Sequence, residues 1–426
     1  MGRIARVAGG VKRKKRVLKP GPVLTREEYE GEPVSVRLEM IRALIPLGLM
    51  HLEEELQGEV TAWAGARYRR EGGVPGLARY GSNPGSVRVG GQRVGMRIPR
   101  VRDVWADREV PLRTLEGSRG KGEVNEGLLR KVLYGLSCRR YEEAAEAIPG
   151  AIGLSASTVS REFIQASAQK LQEFQQRRLE PYDIVTIFLD GKTFGEDLLV
   201  IALGVTLGGE KVFLGFVQTG TENEASLSRF LGTLLDRGLS VDRGVLVVID
   251  GGKGLRKAVG QVWGDRALVQ RCQWHKRENV VKHLAKSEQG RWRRRLQEAY
   301  ERPTYPEAKS ALMQAHAELA ERNVSAAASL EEGLEETLTL HRLGVFGLLG
   351  PSLKTTNCLE SVMSQVEQLC AKVDCWKNSM QKHRWLATSL LAMEPRLNRI
   401  RGANHLSELR IALARDLKIV DKAHVA

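Results

Sequence analysis

Two aspartates stand where an apolar run meets a glycine: Asp190 in IVTIFLDGK and Asp250 in VLVVIDGG. Runs of this kind predict strands, and in α/β sheets functional groups gather at the carboxyl ends of strands. A single Asp-Gly pair does no more than open a turn. Two in one sheet point to a shared site. Carboxylates held close together repel, and the proton affinity of at least one rises unless a cation intervenes. Mg²⁺ or Mn²⁺ answers that need: it takes oxygen ligands, and a pair of ions stabilises both the attacking and the leaving oxygen of phosphodiester cleavage. A third carboxylate is then required, and Glu360 in LKTTNCLESVMSQVEQL is the candidate, on a helix whose Leu359, Val362, Met363 and Val366 face the core. Asn357-x-x-Glu360 also has the form of a capping box, and the two roles are compatible.

Other chemistry-bearing residues are less complete. Cys272-x-x-His275 in RCQWH offers two zinc ligands where a site normally needs four, so His275 is expected to approach the active site or DNA and Cys272 to pack as a small apolar residue. The run GGKG after Asp250 lacks the G-x-x-x-x-G-K-[ST] form, which disfavours nucleotide hydrolysis. Cysteines number 5, an odd and irregularly spaced set that predicts reduced thiols rather than a disulfide framework.

The elements that position these residues follow from composition and periodicity. The chain has 426 residues, 42% of them hydrophobic, and a net charge of +15. At about 100 to 200 residues per domain it holds two to four domains. No apolar run is long enough to span a membrane, and the basic N-terminus has no apolar core behind it, which excludes a secretory signal and places the protein in the cytosol or nucleoid. No basic amphipathic anchor is present, so the polyanion that such a charge faces is nucleic acid rather than a membrane.

Residues 1–22 form a basic arm. Residues 23–115 combine a helix carrying Leu38, Ile41, Leu44, Ile45, Leu49, Leu52 and Leu56, with a kink or break expected at Pro46, and a small β element, SVRVGGQRVGMRIPRV, with arginines on its exposed face. Residues 116–180 read as helices, the last beginning at Ser155 or Ser157 and burying Val159, Phe163, Ile164, Leu171 and Phe174. With the PGAIG turn before it, this is the outline of a helix-turn-helix in which Ser157, Thr158, Ser160 and Arg161 reach base edges or phosphates. Residues 181–275 hold a strand meander and then alternating helix and strand, which is α/β with a mixed sheet. Residues 276–345 are charged and helical, and 346–426 helical again.

The blocks FLDGK, VIDGGKGL, RCQWHKRENV and TTNCLES, in this order, resemble those of prokaryotic Mutator-type insertion-sequence transposases, a branch of the DDE transposases. LSASTVSR and the Trp376, Arg384 and Trp385 block extend the likeness over roughly residues 80 to 400. The resemblance implies a ribonuclease-H-like mixed-sheet core at 181–275, interrupted by a helical insertion at 276–345 and completed at 346–426 by the helix of Glu360. A mainly helical DNA-binding region with a small β element precedes it. Asp190, Asp250 and Glu360 would bind two Mg²⁺ or Mn²⁺ ions, with Cys272, His275 and Asn357 near the site. The implied activity is binding of terminal inverted repeats followed by strand cleavage and transfer into target DNA, by a homo-oligomer on DNA. A transposase-derived protein that binds without cutting, or a nuclease that cuts without joining, are the alternatives.

Overall fold

The computed structural model describes residues 34–68, 73–89, 92–118, 126–135, 151–152, 155–194, 197–220 and 223–419; the basic arm lies outside them. The protein is mixed α/β with two sheets and divides into two units, one of Met1–Gly122 with Glu146–Gly153, the other of Glu123–Ala145 with Leu154–Ala426.

In the first unit, helices α1 (Val34–Ala64) and α2 (Arg113–Ser118) pack on a sheet of β1 (Leu77–Val89), β2 (Gln92–Asp103), β3 (Arg108–Val110) and β4 (Ala151–Ile152). The break expected at Pro46 does not occur, since α1 is continuous through it. A proline removes one backbone hydrogen bond, and in a helix of 31 residues the turns on either side persist. Leu56 and Val60 of α1 meet Val101 and Leu112, while Val87, Val94 and Ile98 pack with Leu49 and Leu52. Alternation along β2 then leaves Arg93 and Arg97 exposed, as expected. PGAIG is not simply a turn: Ala151 and Ile152 pair with Val94 and Arg93, occupying backbone groups that would otherwise be a free sheet edge. The helix expected before it falls at residues outside the described set, so the helix-turn-helix outline is described only from its last helix.

That helix, α4 (Ala156–Gln176), belongs to the second unit, as does the short α3 (Glu126–Leu133). The face of α4 that is buried consists of Val159, Phe163, Ala166, Ser167, Leu171 and Phe174. Ile164, expected inside, is instead exposed, because one residue beyond Phe163 lies about 100° around the helix.

The sheet of the second unit has the order β7 (Lys211–Thr219), β6 (Asp197–Thr206), β5 (Ile184–Phe194), β8 (Val245–Ile249), β9 (Ala267–Arg271). The first three form the expected antiparallel meander, with Gly209 in a left-handed conformation (φ 87°) at the turn between β6 and β7. β8 joins β5 in parallel, and β9 joins β8 likewise. Helix α5 (Glu224–Asp236) leads into β8, and α6 (Lys253–Trp263) links β8 to β9. Both faces of the sheet are covered. Ile187, Leu189, Val247 and Ile249 pack on the α5 and α6 side, and Phe188 and Val248 on the opposite side. That opposite side carries α4, α14 (Asn357–Cys370), α15 (Ser379–Met393) and α16 (Leu406–Asp416).

Between β9 and α14 runs a helical segment: α7 (Gln273–Val281), α8 (Lys286–Tyr300), α9 (Tyr305–Arg322), α10 (Val324–Glu331), α11 (Leu334–Thr337), α12 (Thr339–Arg342) and α13 (Phe346–Leu353). Its first helices have their own core, built on Trp292, Leu296, Leu312, Leu319 and Leu330. Trp376 and Trp385 are packing residues: Trp385 is 4.9 Å from Phe163 and Trp376 is 5.0 Å from Phe194, ring centre to ring centre.

Candidate active site

Asp190 does not end its strand, contrary to the sequence reading. β5 continues to Phe194 because its antiparallel partner β6 runs alongside, pairing Asp190 with Ile201 and Phe194 with Asp197. What ends near Asp190 is the parallel pairing with β8, whose last pair is Leu189 with Ile249. Asp190 and Asp250 therefore lie one step beyond that pair, Asp190 within β5 and Asp250 in the loop just past the end of β8. Period-two alternation from Phe188 turns Asp190 toward the face covered by α14, the helix of Glu360.

Asp190 is buried, at 8% exposure. Its carboxyl is pushed up to about 8, first by burial, then by the nearby negative charges of Asp250 and Glu360; Lys192 and the Thr356 hydroxyl act in the opposite direction. Asp250 sits in an Asx turn: its Oδ1 accepts from the Gly252 amide at 2.9 Å, and Gly251 takes φ 110°, which a side chain rarely adopts.

The segment after β9 closes over these residues. The Cys272 amide donates to the Ile249 carbonyl at 2.7 Å, and the Gln273 amide to the Lys354 carbonyl at 2.9 Å. Cys272 is wholly buried, and burial raises its thiol pKa; its Sγ accepts from the His275 amide at the start of α7, 3.5 Å away. It is a helix cap inside the core. His275 places Nε2 3.4 Å from Glu360 Oε1 and Nδ1 3.4 Å from the Thr356 hydroxyl, with Trp274 edge-on beside it.

The capping box expected at Asn357 is absent. The residue at the N-cap of α14 is Thr356, which makes no side-chain cap hydrogen bond, and Asn357 is already the first helical residue and exposed. The Thr356 hydroxyl makes no bond to the helix amides; it lies near Asp190, whose proton affinity it lowers, and 3.4 Å from His275 Nδ1. Glu360 thus stands in the first turn of α14 with its carboxylate toward His275. Thr356 is the residue that sequence reasoning misses, although it stands in the same TTN block; a threonine before Asn reads as a loop residue until burial is known.

Among the described residues no set of three or more His, Cys, Asp and Glu side chains is drawn together closely enough to hold a metal ion as it stands. The donor chemistry nevertheless fits a hard divalent cation. Asp190 is buried and surrounded by the charges of two further carboxylates, which is the situation a cation relieves.

On α4, Arg161 and Ser157 are exposed, and Thr158 and Ser160 half-buried. Ser155 occupies the N-cap but its side chain accepts no cap bond from the helix amides; its hydroxyl lies 3.0 Å from that of Thr158 and 3.3 Å from that of Ser157. Arg161 donates weakly to the Thr158 hydroxyl at 3.4 Å. Ser157, Thr158, Ser160 and Arg161 are therefore gathered at one helix end, in the same unit as the carboxylates.

Residues 32–395 match the family model described as transposase, Mutator family, a span that includes Asp190, Asp250 and Glu360. The chain belongs to that family. It is 26% identical over 345 residues to the transposase for insertion sequence element IS905 of Lactococcus lactis subsp. lactis (strain IL1403), covering 79% of this chain and 85% of that protein. It is 29% identical to the transposase for IS6120 of Mycolicibacterium smegmatis, over 55% of this chain and 73% of that one. It is 25% identical to the transposase for IS256 in transposon Tn4001 of Staphylococcus aureus, over 70% and 77%.

Proposed function

We propose that the protein binds the terminal inverted repeats of an insertion sequence, cleaves DNA strands at their ends and joins the freed ends to target DNA. The observation that carries this reading is Asp190: a carboxyl raised by its burial and then by two further acids, on the central strand of the sheet just past its parallel pairing with β8, inside the span matched by the Mutator family. A mixed sheet of an antiparallel meander and two parallel strands, interrupted by a helical insertion before the last acid, supports a ribonuclease-H-like core of DDE type.

Asp190, Asp250 and Glu360 are the residues that would hold Mg²⁺ or Mn²⁺, two ions per site. Bound there, the ions would favour hydroxide over water and stabilise charge on the attacking and leaving oxygens. The chain's own groups prepare the site. Thr356 lies near Asp190 and lowers its proton affinity, His275 faces Glu360, and the Gly252 amide donates to Asp250. In the first step water attacks a phosphodiester and releases a 3′-hydroxyl. In the second, that hydroxyl attacks a phosphodiester of the target in line, with no covalent link between protein and DNA.

DNA is the partner, held by the basic N-terminal arm and by Ser157, Thr158, Ser160 and Arg161. Because two element ends meet one target, the active form is a homo-oligomer on DNA, associated with the nucleoid. The described helices include none long and apolar enough to cross a membrane. The deciding experiment supplies labelled element ends, target DNA and Mg²⁺. Strand-transfer products establish the reading, cleavage without joining replaces it with a nuclease, and binding without cleavage replaces it with a transposase-derived DNA-binding protein.

A further inference from the structure

We propose that Arg271 is a positioning residue for the reaction, coupling the returning end of the helical insertion to the loop that carries Asp250. The inference rests on the reading of Asp250 as a catalytic carboxylate.

Arg271 is the last residue of β9, and its side chain is 9% exposed. One Nη atom donates to the carbonyl of Gly251, directly after Asp250, at 2.8 Å. The other donates to the carbonyl of Glu332, where α10 has just ended, at 3.0 Å. The guanidinium therefore spans two loops that are far apart in sequence. Both carry a glycine against it with positive φ, Gly251 at 110° and Gly333 at 64°. A Cβ on either glycine would strike the guanidinium. Nε is buried without a hydrogen-bond partner, a cost that a residue serving packing alone would avoid.

The insertion side of this contact is itself firmly held. Lys276, buried in α7, donates to the Ser329 carbonyl at 2.6 Å and also to the Glu332 carbonyl, so two cations meet the C-terminal end of α10, where the helix dipole is negative. Gln270 and Gln273 each donate to the Thr337 carbonyl at 2.9 Å, and Thr339 donates to the Val269 carbonyl at 2.6 Å. Residues 332–339 are thus fixed along β9. Arg271 extends that fixed edge to Gly251, and through the Asx turn to the carboxylate of Asp250.

Arginine suits this role because a planar fork can satisfy two carbonyls at once, whereas the single ammonium of lysine reaches one. Arg271→Lys keeps the charge and gives up the bridge. Gly333→Ala displaces the guanidinium from the insertion side and leaves Arg271 and Asp250 intact. For both variants we expect folded protein with unchanged DNA affinity, faster hydrogen exchange at the Gly252 amide in metal-free protein, and a higher Mg²⁺ concentration at half-maximal cleavage. The shift should be about 10-fold or more, the scale of losing a group that orients a metal ligand.

Faster exchange together with the raised Mg²⁺ midpoint in either folded variant supports the coupling. Unchanged exchange, or faster exchange with the wild-type Mg²⁺ midpoint, overturns it and leaves Arg271 a packing residue. If the wild-type protein shows no metal-dependent cleavage, the catalytic reading of Asp250 fails instead, and the exchange measurement still decides whether Arg271 holds the loop.

Discussion

Asp190→Asn should abolish cleavage and yet stabilise the metal-free protein. The carboxyl moves from an unfolded value of 3.8 to about 8 in the folded state, chiefly through burial and then through Asp250 and Glu360. A folded pKa above the unfolded one means that the native state binds the extra proton. The stabilising contribution of that proton is complete below about pH 4 and is lost as pH rises toward 8. At pH 7 the acid must be protonated about three units above its free pKa, which at about 1.4 kcal/mol per unit amounts to about 4 kcal/mol at most. Asparagine keeps an acceptor for Thr356 and has no charge to neutralise. If half of the penalty survives local relaxation, the variant gains about 2 kcal/mol, or roughly 4 °C in melting temperature for a unit of this size. The assay is thermal unfolding in excess chelator at pH 5, 6, 7 and 8, repeated with Mg²⁺. The gap between variant and wild type should widen with pH, and Mg²⁺ should raise the wild type only. A variant that melts at or below the wild type throughout pH 5 to 8 in chelator would refute the reasoning.

Three further outcomes follow, two from the structure and one from the charge of the N-terminal sequence. Asn357→Ala should cost less than about 0.5 kcal/mol in urea unfolding, because the N-cap is Thr356; a loss at the upper end of the usual range for a cap, about 2 kcal/mol, would restore the capping box. Lys276, lowered to about 8 chiefly by burial, carries a penalty that is present in full below that pH and relieved as pH rises toward 10.5. The stability of wild type relative to Lys276→Met should accordingly increase between pH 8 and 10.5, and a difference independent of pH in that window would show that the amine is not depressed. Deleting residues 1–20 should flatten the salt dependence of DNA binding, by a slope of about 0.9 on log-log axes for each phosphate contact removed. An unchanged slope would take the arm off the DNA.

The strands were legible because the sheet of the second unit is covered on both faces, so β5, β6, β7, β8 and β9 appear as near-continuous apolar runs. Their ends were not. An apolar run stops where burial stops, whereas β5 extends past Asp190 because β6 supplies hydrogen bonds for four more residues, and only pairing reveals that. Asp190, Asp250 and Glu360 are marked in the sequence by apolar runs that meet glycine and by family blocks, and the sheet brings the two aspartates side by side just past the last parallel pair of β5 and β8. The supporting groups were hidden for a different reason. Thr356 reaches His275 across 81 residues of chain, and Arg271 reaches Glu332 across 61, separations at which no local pattern survives. Pro46 and Ile164 show the converse, local rules overridden by a long helix and by the orientation of a packed face.

Asp190, Asp250 and Glu360 are proposed to act as one metal-dependent centre for cutting DNA. The most direct test is single-turnover cleavage of element ends in Mg²⁺ by the wild type, Asp190→Asn, Asp250→Asn and Glu360→Gln, with new 3′ termini mapped and DNA affinity measured alongside. The wild type should give discrete 3′-hydroxyl ends in Mg²⁺ and none in chelator, and no variant should give any, while all four proteins bind DNA alike. Cleavage by Glu360→Gln near the wild-type rate would contradict this reading and send the search for the third carboxylate to Glu367, about two turns along the same helix.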